Sequence, residues 1–237
     1  QRRFQDALLA LRALPDKHTA ALRLELKAQQ QAKNWREVLV LLDQLERRGV
    51  FDATQATQLR CYAHIENLKR QALDQFALDE CWQKMPAAHQ RDVKIAATAA
   101  QCYLVLGGVA RALQIIEQAL AVEWDTELIG LYAECAETDT IRRIERAEEW
   151  LKANPRDAVL LLTLGRLCAR QELWGKAQNY LEASISVEAL YSANFALAEL
   201  HDRLGNAAAA HRHYRESLDL AVKQLKQMTG GRRRTSL

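Results

Sequence analysis

Apolar residues along this chain recur three and four apart, in segments that are short and regularly interrupted. In AVLLLTLGRLCAR (158–170) and WGKAQNYLEAS (174–184), large apolar side chains alternate with Arg, Gln, Lys and Glu at that spacing. The stretches 93–122 and 191–220 carry the same pattern. Each reads as two amphipathic helices joined by a short turn. Nearer the start, 19–31 followed by AKNWREVLVLLDQL (32–45) predicts another pair. A further pair is expected at 54–66 and 68–84, closed by Pro86, and a shorter one at 127–137 and 140–153. Residues 2–13, ending before Pro15, read as a lone second helix.

The segments repeat with a period of about 33 residues. Laying 158–190 over 191–223 puts Leu164 and Gly165 on Leu197 and Ala198, Ala177 on Ala210, Leu181 on Tyr214 and Ser184 on Ser217. Ala99, Ala100, Tyr103, Ala112, Ile116 and Ala119 fill corresponding slots in 93–122. Small residues fall on small and large on large. Two helices approach closely only where side chains are small, so these slots mark a helix crossing. Gly165, Ala177, Leu181, Ala198, Ala210 and Tyr214 are therefore the expected packing positions. One pair cannot bury its apolar face alone, so pairs must stack. The small–large pattern resembles the tetratricopeptide repeat, with Asn154-Pro155 at a boundary where that family often places proline. The expected fold is all-α, a right-handed superhelical solenoid of tetratricopeptide-like helix pairs. It is expected to span 1–228 as a single array truncated at its N-terminus, with 229–237 a disordered basic tail.

Composition narrows the function rather than the fold. Among 237 residues there are only nine glycines and three prolines, too few for the turns of an all-β fold. A net charge of +3, with no basic stripe interleaved with aromatics, argues against nucleic acid as a partner. The five cysteines, at 61, 81, 102, 135 and 168, include no C-x-x-C pair and read as reduced packing thiols. The Gly175-Lys176 pair does not complete a phosphate loop, because Arg170 stands where the first glycine belongs and Ala177 replaces Ser or Thr. No G-x-G-x-x-G and no H-E-x-x-H occurs. Glu148 and Glu149, beside Arg143 and Arg146, read as a solvated helix face. Trp35 and Trp174 occupy equivalent packing slots. The sequence thus offers no catalytic residue, no metal ligand and no cofactor site.

What stacked pairs do offer is a concave face lined by their first helices. The expected partner-binding positions are Arg23, Lys27 and Gln30 near the N-terminus, then Arg166 and Arg170, then Phe195, Asp202 and Arg203. Val159, Leu162, Ser192 and Glu199 are expected on the same face. An apolar strip with guanidinium groups beside it suits a protein partner bearing carboxylates. The Lys/Asn clamp by which some tetratricopeptide proteins hold C-terminal carboxylates is not matched.

One subfamily comes closer. The run AVLLLTLGRLCARQELWGKAQNYLEAS (158–184) resembles a segment of the HemY family of proteobacteria. CWQKMP (81–86), IAATAAQCYLVLGG (95–108) and AEEWLKANPRDAVLL (147–161) resemble that family in the same order. The resemblance implies a bacterial inner-membrane protein with hydrophobic spans ahead of the repeats. The start at QRRFQDALLALRALP, without Met and already in helical register, fits an excised fragment. The resemblance further implies a non-catalytic scaffold linked to late protohaem synthesis, with haem-biosynthesis enzymes as partners. Two alternatives remain open at this stage. One is a haem or porphyrin carrier using His or Cys as ligand and Arg for the propionates. The other is a generic tetratricopeptide scaffold for another envelope process.

Overall fold

The structure, a computed structural model, describes residues 18–135 and 139–232. The lone helix expected at 2–13 lies outside them. The described residues form thirteen helices and no strand. The chain divides into two compact units, Gln1–Trp124 and Asp125–Leu237.

In the first unit the helices are α1 (Thr19–Gln31), α2 (Trp35–Arg47), α3 (Ala53–Gln71), α4 (Gln75–Gln83), the single turn α5 (Ala87–Gln90), α6 (Val93–Val105) and α7 (Val109–Leu120). Several helix starts are written in the sequence as aspartates. Asp52 accepts from the Gln55 amide at 2.8 Å, Asp74 from Ala77 at 3.0 Å, and Asp92 from Lys94 and Ile95 at 3.0 and 3.1 Å. Each satisfies amides that a helix start leaves without an intrahelical partner. Asp74 also explains a difference from the sequence pattern. The pair expected at 54–66 and 68–84 breaks instead at 72–74, because Asp74 caps α4 and α3 runs on to Gln71. Leu22 and Leu26 from α1, Trp35, Val38, Leu41, Leu42 and Leu45 from α2, and Ala56 and Ala63 from α3 form one apolar cluster. Trp35 is its aromatic member, set edge-on to Tyr62 with centroids 5.1 Å apart.

The second unit contains α8 (Thr126–Glu134), α9 (Thr140–Ala153), α10 (Ala158–Arg170), α11 (Trp174–Val187), α12 (Tyr191–Arg203) and α13 (Ala207–Arg232). The first helices α8, α10 and α12 pack in a row, and α9, α11 and α13 are the second helices of the pairs. Gly165, Ala177, Leu181, Ala198 and Ala210 are fully buried. A Cβ on Gly165 would stand 2.6 Å from both Cγ and Cδ2 of Leu181, so only glycine permits this crossing. A second feature repeats with it. Ser184 donates to the Ala158 carbonyl at 2.7 Å, and Ser217 donates to the Tyr191 carbonyl at 2.8 Å. Both serines tie a second helix to the start of the first helix of its own pair, at positions one repeat apart. Turns between paired helices use left-handed backbone at Lys33, Gly107, Glu172 and Gly205.

The last helix is longer than the pattern requires. It continues through Thr229 to Arg232, where the composition predicts a disordered tail from Thr229 onward. Extending a helix that already exists carries no nucleation cost, and Thr229 bonds back to the Leu225 carbonyl at 2.9 Å. Residues 233–237 lie outside the described part.

Candidate functional site: a guanidinium-lined groove in the second unit

The row of first helices in the second unit encloses a groove of about 290 Å3. Arg166, Ala169 and Arg170 line it from α10, and Phe195, Ala196, Glu199, Leu200 and Arg203 from α12. Ala133 and Glu134 close the α8 end, and Leu181 of α11 reaches the interior. Arg166 and Arg170 are one turn apart, as are Phe195, Glu199 and Arg203, so each helix presents a single ridge. Between the ridges lie buried Leu181, Ala196 and Leu200. Phe195 is 44% exposed, a large ring left open to whatever enters.

Charge in the groove is arranged rather than scattered. Arg170 donates to the Ala133 carbonyl at the C-terminus of α8. Beside it, Arg143 of α9 donates to the carbonyls of Tyr132 and Cys135 and lies 4.8 Å from the centre of the Tyr132 ring. The end of a helix leaves carbonyls without intrahelical partners and carries partial negative charge, and these two guanidiniums satisfy it. Burial, and then the Arg143 and Arg166 charges, lower the Arg170 pKa below its ordinary value. Arg170 therefore sits beside two like charges, with Glu134 as an opposing carboxylate. Among the described residues, Arg166 and Arg203 have neither a hydrogen-bond nor an ion-pair partner.

The sequence-derived positions divide on this geometry. Arg166, Arg170, Phe195 and Arg203 line one groove. Asp202 does not, because its carboxylate accepts from the Tyr214 hydroxyl of α13 at 2.8 Å. Tyr214, expected as a packing residue, meets Phe195 edge-on at 5.7 Å as well. Leu162, expected to be exposed, is 5% exposed. Arg23, Lys27 and Gln30 stand on α1 in the first unit, where Arg23 donates to the Val50 carbonyl at 3.4 Å.

Arg143 departs furthest from the sequence pattern. The charged residues around it predict a solvated face, yet it is 4% exposed. A signal exists in the register: Thr140, Arg143, Ile144 and Ala147 are the buried positions of α9, so Arg143 sits in the apolar register of its own helix. Its neighbour Glu148 is also structural. It accepts from Lys176 at 3.1 Å and from the Tyr180 hydroxyl at 2.9 Å, tying α9 to α11. Lys176 of the Gly175-Lys176 pair is thus an ion-pair partner.

Among the described residues, no His or Cys lines the groove. Four of the histidines pair with one another elsewhere. His64 and His89 have ring centres 4.9 Å apart, and burial, with the His89 and Arg60 charges, lowers His64 to about 4. His201 and His213 stack at 5.6 Å, with His213 Nδ1 3.0 Å from the Asn194 side-chain oxygen. All five thiols are free, and burial pushes Cys61, Cys135 and Cys168 up to about 11, far from nucleophilic at neutral pH. Among the described residues, no group of three or more His, Cys, Asp or Glu is placed to hold a metal, and no helix is long and apolar enough to cross a membrane.

No protein-family model and no curated protein matches the chain. Solved structures do. TTC0263, a thermophilic TPR protein in Thermus thermophilus, superposes with a TM-score of 0.51 at 22% identity, covering 82% of this chain and 95% of that one. Two MamA structures give lower scores: 0.47 at 17% identity over 67% of this chain and 95% of theirs, and 0.41 at 15% identity over 88% and 99%. At such identities the likeness speaks for the fold alone, and the fold is that of a tetratricopeptide-type helical-repeat protein.

Proposed function

We propose that this chain is a non-catalytic protein-interaction scaffold, the repeat domain of a membrane-anchored bacterial protein that serves late haem biosynthesis. The observation behind the binding role is the groove of the second unit. Among the described residues it presents charged groups without partners beside an exposed ring, and no nucleophile paired with a base. The haem link rests on the HemY-like runs at 81–86, 95–108 and 147–184. In this reading, hydrophobic spans preceding the repeats hold the protein at the inner membrane, and haem-biosynthesis enzymes are its partners. A carrier that ligates haem through His or Cys gains no support from a groove lined by neither.

The test is site-specific photo-crosslinking in bacterial membranes. A crosslinking residue in place of Ala169, on the groove wall, should form adducts that include an enzyme of late protohaem synthesis. The same residue in place of Asn179, exposed on α11 outside the groove, should not. Adducts that contain no porphyrin-pathway enzyme would remove the haem link and leave a scaffold for another envelope process. Equal adducts from both positions would remove the groove.

A further inference from the structure

We infer that the groove between α8, α10 and α12 takes an extended protein segment with one carboxylate next to a large apolar side chain. The carboxylate is held by Arg166 and Arg203, and the apolar group sits on Phe195. This deepens the scaffold reading above and rests on it. Three features of the groove select this class of partner.

The first is the state of the guanidiniums. Arg170 is committed to the Ala133 carbonyl, and Arg143, behind it, to two more carbonyls of the same helix end. Arg166 and Arg203, on facing ridges, have no partner among the described residues. Arg143 and Arg166 both act on Arg170 as like charges. A carboxylate entering here relieves repulsion and gains forked hydrogen bonds from donors that are otherwise unused among the described residues. The second feature is the interior. Leu181, Ala196 and Leu200 are buried between the ridges and Phe195 is open, so an apolar side chain beside the carboxylate finds an apolar surface.

The third feature sets the upper limit on charge. Glu134 and Glu199 line the same groove. A strand with an anion at every step, such as RNA, would bring negative groups against both. A segment with a single carboxylate avoids them. The groove therefore discriminates against polyanions by repulsion as well as selecting for one carboxylate by attraction.

Fluorescence anisotropy tests this on the intact chain. The probes are labelled twelve-residue peptides of Ser and Ala carrying one Glu-Phe or Glu-Leu pair and an amidated C-terminus. One arm replaces Glu by Gln. A second removes Glu and leaves a free C-terminal carboxylate after Phe. A third is polyglutamate. Binding in either carboxylate arm supports the proposal, and the arm that binds assigns the carboxylate to a side chain or a chain end. The Gln arm should bind about ten-fold more weakly or worse. Arg166→Ala and Arg203→Ala should each weaken binding by about the same factor, with Arg166→Lys intermediate. Glu199→Gln, which removes a repelling charge, should tighten it, and this gain cannot come from misfolding. Equal binding of the Glu and Gln peptides, no binding in any arm, tighter binding of polyglutamate, or indifference to all three arginine substitutions overturns the proposal. If crosslinks from position 169 persist unchanged in Arg166→Ala, the scaffold reading stands and the acidic segment falls.

Discussion

Two neighbouring helix pairs of the second unit share one plan and close in different ways. In α10/α11 the seam is made of small and branched apolar residues. Gly165 admits Leu181 at a distance where a methyl group could not fit, and Ala177 is fully buried beside it. In α8/α9 the closing group is a cation. Arg143, 4% exposed, reaches from α9 to two carbonyls at the end of α8. The difference follows from helix length. At nine residues, α8 ends early, in extended backbone at Cys135, and so turns unsatisfied carbonyls toward its partner. A pair that meets along thirteen and fourteen residues can rely on apolar contact, whereas a short one needs a donor at its end. The cation that closes the weaker pair is also one of those that make the adjoining groove positive.

Substitutions can break this contrast, and the largest effect belongs to the cation. Arg143→Met keeps the apolar stem but leaves two buried carbonyls unmet, and should lower stability by about 3 kcal/mol in urea unfolding. A loss under about 0.5 kcal/mol would mean water replaces the guanidinium and the pair is closed otherwise. Next comes the apolar seam. Gly165→Leu should cost about 2 kcal/mol by overpacking against Leu181, and thermal unfolding unchanged from the parent would refute the crossing described above. Smaller again are the repeated hydrogen bonds. Ser184→Ala and Ser217→Ala should each cost about 1 kcal/mol, and unequal losses would show that the two pairs, alike in pattern, differ in tightness. Last is the turn between α10 and α11. Glu172 has φ +57°, a left-handed conformation, while Gly205 serves the equivalent turn of the next pair. Glu172→Gly should raise stability by about 0.5 kcal/mol, and a loss of that size would show that the Glu172 side chain contributes more than its backbone strain costs.

The same contrast shows where sequence reading succeeds. The slots of α10/α11 are legible because Gly165, Ala177, Leu181 and Ser184 recur as Ala198, Ala210, Tyr214 and Ser217, and size patterns survive in one dimension. Helix starts are less so: Asp74, which caps α4, stands inside the helix expected at 68–84. Arg143 is not legible, since a charged residue in an apolar register is ambiguous until its acceptors are known. Those acceptors are backbone carbonyls, which carry no sequence signature. The bond of Asp202 is hidden for a related reason: its position is exposed, as the register has it, but its carboxylate accepts from the Tyr214 hydroxyl of α13, which the register of α12 does not show. Leu162 is misplaced because the burial of a first-helix position depends on the elements packed around it, which the register of its own helix does not show.

The sequence by itself determined the helix pairs of 93–122 and 158–220, their period and the residues at which paired helices touch, because these depend on local spacing and side-chain volume. It also placed Arg166, Arg170, Phe195 and Arg203 on outward positions of first helices. Only the tertiary structure decided which of those side chains are already engaged and which are open. That depends on carbonyls and hydroxyls contributed by other helices, and on how far each helix runs before it ends. The groove's charge is such a sum: guanidiniums from α9, α10 and α12, less what the end of α8 consumes.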